Sequence, residues 1–123
     1  MITGIGIDIV EIDRVQNALT KHGLRFIERI CTPREASGHK MSDAAFFAGR
    51  WAAKEAISKA LSCGIGSGCS FTDIEICNNS CGAPEAVLSG AAKETMHKLG
   101  GKSIKISISH ERSYAAAMAI IEC

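Results

Sequence analysis

No run of apolar residues in this chain approaches the ~18 that a membrane span needs, and the N-terminus lacks the basic flank of a secretion signal. A cytoplasmic protein with no membrane partner is the expectation. Nor does charge of one sign prevail: fourteen basic and thirteen acidic residues nearly cancel, which argues against a nucleic-acid binder relying on bulk positive charge. Any anionic ligand must be held locally. Linkers, repeats and low-complexity tracts are missing as well, so residues 1–123 read as a single domain. A chain of this size buries roughly two thirds of its unfolded surface, a modest core that makes oligomerisation unsurprising.

Six cysteines (Cys31, Cys63, Cys69, Cys77, Cys81 and Cys123) come without a secretion signal, so they do not point to a disulfide scaffold. Cys77 and Cys81 have three residues between them and no nearby histidine pair, which disfavours zinc. Small buried hydrophobes is the better reading. Two glycine patterns also fall short of phosphate motifs. Gly4-x-Gly6 lacks the glycine or alanine at position 9 of a dinucleotide fingerprint, because Ile9 continues a strand. Gly64-x-Gly66-x-Gly68 lacks the lysine and serine or threonine of a P-loop and reads as a flexible turn.

Hydrophobic periodicity gives the elements. Met1 to Ile9 alternates, with Ile5, Ile7 and Ile9 on one face and Gly4, Gly6 and Asp8 on the other, as a strand requires. Ile12, Val15 and Leu19 repeat at helical spacing until Gly23. Thr32-Pro33-Arg34-Glu35 carries a capping residue, proline at the first helical position and glutamate at the third, and starts a brief helix. The longest helix runs from Ser42 to about Ser62. Ala45, Ala48, Gly49, Ala52, Ala56 and Ala60 make a smooth flank on it, and the glycine face of the first strand is the candidate cover. Strands over 71–77 and 85–88 flank a turn, a short helix covers 91–99, and a second hairpin spans 104–121. The class is α+β, a mainly antiparallel sheet packed with helices.

Asp8 and Glu55 each stand among residues with almost no side chain, so close backbone approach can bring both carboxylates to one cation or phosphate. Capping by Asp8 and an i,i+4 surface pair of Glu55 with Lys59 are the plainer alternatives. Two carboxylates with a lysine suit metal-assisted phosphate chemistry, because Mg²⁺ takes one or two protein carboxylates and completes its shell with water and substrate phosphates.

GIGIDIVEIDR at 4–14, RWAAKEAISKAL at 50–61, the Asn78–Pro84 turn and SISHE at 107–111 together resemble the holo-acyl-carrier-protein synthase family, over essentially the full length. Trp51 stands where phenylalanine is commoner, and Cys77, Cys81 and Asn78-Asn79-Ser80 lie outside the strong pattern. The resemblance implies a 4′-phosphopantetheinyl transferase fold and a Mg²⁺-dependent transfer of 4′-phosphopantetheine from coenzyme A to a serine of apo-acyl carrier protein, for fatty acid biosynthesis. It implies Asp8 and Glu55 as metal ligands, Lys59 beside them in catalysis and on the coenzyme, and Arg50, Gly82, Pro84 and His110 near the coenzyme. For His110 a phosphate contact, a general base and a turn hydrogen bond stay open, and Arg50 has the alternative of a solvated helix residue. The family is typically a homotrimer with sites between protomers. Arg14, Lys21 and Arg25 are candidates for the acidic carrier, aligned if the helical path continues through Gly23, with an ordinary solvated face as the plainer alternative.

Overall fold

The computed structural model describes residues 1–123. Strand β1 (Ile2–Glu11) runs directly into helix α1 (Ile12–His22), followed by α2 (Leu24–Ile30), α3 (Pro33–Ala36) and the long α4 (Ala44–Ala60). A 3-10 turn (Phe71–Asp73) then leads to β2 (Ile74–Asn78), β3 (Pro84–Leu88), α5 (Gly90–Lys98), β4 (Ser103–His110) and β5 (Tyr114–Glu122). The strands form two antiparallel sheets rather than one: a three-stranded sheet in the order β1-β5-β4, and the β2–β3 pair. The expected α+β class holds.

The smooth flank of α4 is covered as expected. Ala48, Ala52, Ala56 and Ala60 are buried, and facing them are Gly4 and Gly6 of β1 and Ala115, Ala117 and Ala119 of β5. A methyl group at Gly6 would overlap the Ala56 carbonyl oxygen and stand 2.8 Å from the Ala60 nitrogen. The small residues therefore serve backbone-to-backbone packing, and no open groove for a bulky ligand remains along that flank. On the opposite face Ile5, Ile7 and Ile9 are 65%, 67% and 66% exposed, with Met118 of β5 paired to Ile7.

A buried charge fixes α4 to the rest of the fold. Lys54, with no exposed surface, donates from Nζ to Glu35 Oε1 and to the Ile30 carbonyl, each at 2.6 Å, and to the Phe71 carbonyl at 3.1 Å. Glu35 Oε2 accepts from the Ile76 backbone at 2.9 Å, and its Oε1 closes the expected capping box on Thr32. A buried ion pair is tolerated only when its remaining hydrogen-bonding capacity is met in this way. One lysine thus ties α4 to α2, α3 and the 3-10 turn.

Candidate active site

Asp8 lies near the end of β1 on the face that meets α4, and Lys59 rises from the last turn of that helix. Lys59 Nζ donates to Asp8 Oδ1 at 3.1 Å and to the Ile7 carbonyl at 2.9 Å. The i,i+4 pair between Glu55 and Lys59, the plainer alternative, is therefore replaced by one across the strand–helix junction, because β1 approaches closely enough to offer both an acid and a carbonyl. Glu55 stands one turn earlier on α4. Its carboxyl is pushed up from the ordinary value of 4.5, first by burial and then by the charge of Asp8, with Lys59 pulling the other way. Asp8 and Glu55 line one cleft of about 320 Å³, with Arg14 of α1, Phe26 of α2 and Trp51 of α4 among its walls.

The donor set bears on which ion fits. Two acids repel one another, and the neighbouring lysine hydrogen-bonds to only one of them. That surplus of negative charge favours a divalent cation. No cluster of three or more histidine, cysteine or acidic side chains is present, so an all-protein cage is not offered. A hard ion that keeps water and takes phosphate oxygens, as Mg²⁺ does, suits two carboxylates.

The remaining candidates fall into separate groups. Arg50 is 9% exposed on another side of α4; it donates from Nη2 to Asn78 Oδ1 at 3.4 Å and lies 4.6 Å over the Phe46 ring, leaving its buried Nε without a partner. Arg50 is thus not the solvated helix residue of the plainer reading. Gly82 takes a positive φ of 82° in the β2–β3 turn, and Pro84 lines a different cleft with Lys105. His110 is exposed at the end of β4. None of these four lines the cleft of Asp8 and Glu55.

The basic residues also regroup. Gly23 adopts φ 57°, ψ −129° and ends α1, so the helical path does not continue and Lys21 does not align with Arg25. Arg25 instead lines a second cleft with His22, Phe26 and Arg29, and Phe26 belongs to both clefts. His22, Arg29 and Phe26 were not legible as site residues, since their grouping depends on the chain bend at Gly23. Of the cysteines, Cys31 and Cys69 are buried, whereas Cys81 and Cys123 are exposed and do not fit the expectation of small core residues.

Comparison with known proteins gives one family. Residues 4–119 match the model of the 4′-phosphopantetheinyl transferase superfamily. The holo-[acyl-carrier-protein] synthase of Ruminiclostridium cellulolyticum is 42% identical over 120 residues, covering 95% of this chain and 90% of that protein. The crystal structure of the Neisseria meningitidis holo-[acyl-carrier-protein] synthase superposes with a TM-score of 0.89 at 34% identity, covering 100% of both chains. The Helicobacter pylori enzyme, solved in complex with coenzyme A, gives 0.84 at 37% identity over 96% of this chain and 99% of that one. With the strand–helix junction of Asp8, Glu55 and Lys59 and a family match over residues 4–119, the chain belongs to the 4′-phosphopantetheinyl transferase superfamily, among the holo-acyl-carrier-protein synthases.

Proposed function

We propose that this chain transfers 4′-phosphopantetheine from coenzyme A to a serine of apo-acyl carrier protein, releasing adenosine 3′,5′-bisphosphate and supplying holo-carrier for fatty acid biosynthesis. The observation that carries the reading is the shared cleft of Asp8 and Glu55, with Lys59 held to Asp8. Asp8 and Glu55 are the residues that would hold Mg²⁺, which when bound supplies charge neutralisation and Lewis acidity at the coenzyme's pyrophosphate. The carrier serine attacks the β-phosphorus, and the bond to the bridging oxygen breaks to leave the bisphosphate. Lys59, half exposed on its flexible stem, offers a cationic donor to the non-bridging oxygens as charge gathers there. The serine proton goes to a Glu55 carboxylate oxygen or to water in the cleft. No covalent enzyme intermediate is required, since the acceptor brings its own hydroxyl.

Arg14 at the cleft, with Arg25 and its neighbours His22 and Arg29 just beyond Phe26, offers positive charge to an acidic carrier. Lys21, exposed on α1 outside both clefts, adds long-range attraction. A homotrimer completes the proposal. The bare isoleucine face of β1 supports it, as does the separation of Arg50, Gly82, Pro84 and His110 from the acidic cleft, which neighbouring protomers would bridge. Incubation with apo-carrier, coenzyme A and Mg²⁺ tests the reading by mass spectrometry. The carrier should gain one phosphopantetheine, and Asp8→Ala or Glu55→Ala should slow this by on the order of a hundredfold or more. Coenzyme hydrolysis without carrier modification would make the protein a phosphoester hydrolase; no turnover would leave a phosphate-binding subunit.

A further inference from the structure

Beyond the transfer site, the loop after α4 opens at Cys63 and folds back so that Gly68, the neighbour of Cys69, packs against Cys63. Ser62, with a positive φ of 62°, turns the chain at the helix end, and the Cys63 backbone donates to the Ser58 carbonyl at 3.2 Å. Gly66 then donates to the Cys69 carbonyl at 2.7 Å, curling the glycine-rich loop so that its two ends meet. The meeting is close: a methyl group at Gly68 would lie 2.7 Å from Cys63 Cβ and 3.3 Å from its sulfur. Each end is anchored. Cys63 Sγ lies 3.7 Å from the Ser58 carbonyl of α4, and the Gly68 carbonyl accepts from Thr95 Oγ1 of α5 at 2.8 Å.

We propose that Cys63 and Cys69 form a thiol–disulfide pair, oxidised reversibly by low-molecular-weight disulfides to an intramolecular bond that ties the end of α4 to the segment entering the 3-10 turn. The two positions differ in the way an attacking and a resolving thiol should. Cys63 is half-buried and within reach of a small oxidant, whereas Cys69 is wholly buried. Burial raises both thiols, but the contact between them lowers Cys63 and raises Cys69, which stands at about 12. Cys63 therefore reacts first. Its thiolate attacks one sulfur of the disulfide and expels a small thiolate, which takes up the proton Cys63 gave to solvent. Cys69 then loses its proton, attacks the Cys63 sulfur and expels the second small thiol. Two protein thiols have lost two electrons, and one small disulfide has become two thiols.

The test uses the whole chain equilibrated with oxidised and reduced glutathione, quenched in acid, unfolded, alkylated and cut with chymotrypsin. The expected product is segment 62–71 lacking two hydrogens and bearing no alkyl group, restored to two alkylatable thiols by dithiothreitol. Cys63→Ser should abolish it and leave Cys69 alkylated; the half-buried position makes this the milder variant. Alkylation of both Cys63 and Cys69, with glutathione only on exposed Cys81 or Cys123, would overturn the proposal. So would a glutathione adduct that persists on Cys63 beside a free Cys69, or a bond from either to Cys77.

Discussion

Burial and the charge of Asp8 both raise the proton affinity of Glu55, and Lys59 only partly opposes them. The folded protein therefore holds that proton to higher pH than the unfolded chain does, so the contribution of Glu55 to stability is full below the ordinary glutamate value of 4.5 and is lost as pH rises through the elevated one. In chelator, the melting temperature of Glu55→Gln should decline less over that window than that of the parent protein; parallel curves would mean that Glu55 is not strained in the folded state. The acid pair was legible in the sequence because glycine and alanine surround it. The partner of Lys59 was not, since i,i+4 spacing favours Glu55 and only the approach of β1 brings Asp8 nearer.

The junction of β1 with α4 sets the positions of these groups. Gly6 meets the Ala56 carbonyl with no room for a side chain, so Gly6→Ala must push strand and helix apart. A loss of about 1–3 kcal/mol is expected, as for other overpacked sites, together with reduced transfer activity; urea titration and the carrier assay read the two. An unchanged midpoint would show that the contact is softer than described. Hydrophobic periodicity predicts β1 and α4 well because each has one smooth face over many residues. It fails at Phe71, where a strand was expected: Ser70 donates to Asp73 Oδ2 at 3.2 Å in a capping box, and the segment winds into a 3-10 turn before β2 begins. At Gly23 it holds, since α1 ends there as expected; what periodicity does not carry is the φ of 57° by which that glycine turns the chain and keeps Lys21 out of line with Arg25.

Taken as one body, the protein leaves an isoleucine face on β1 open to solvent and divides its candidate coenzyme residues from its acidic cleft. Exposed apolar patches of this kind mark interfaces. If the proposed trimer forms through this face, Ile7→Asp gives a monomer by light scattering where the parent protein gives a trimer, and suppresses transfer; a trimer with the substitution would move the interface elsewhere. The alternation of β1, and the glycines that turn one of its faces to α4, were plain from the sequence; the proposed sharing of Arg50 and His110 between copies has no signal there, because it depends on how separate chains meet. The most direct trial is the paramagnetic resonance of Mn²⁺, standing in for Mg²⁺, titrated with coenzyme A into the protein and into Asp8→Asn and Glu55→Gln. One tight, coenzyme-dependent ion per chain should bind, and either substitution should abolish it. Equal Mn²⁺ binding by all three proteins would contradict a shared ion at Asp8 and Glu55.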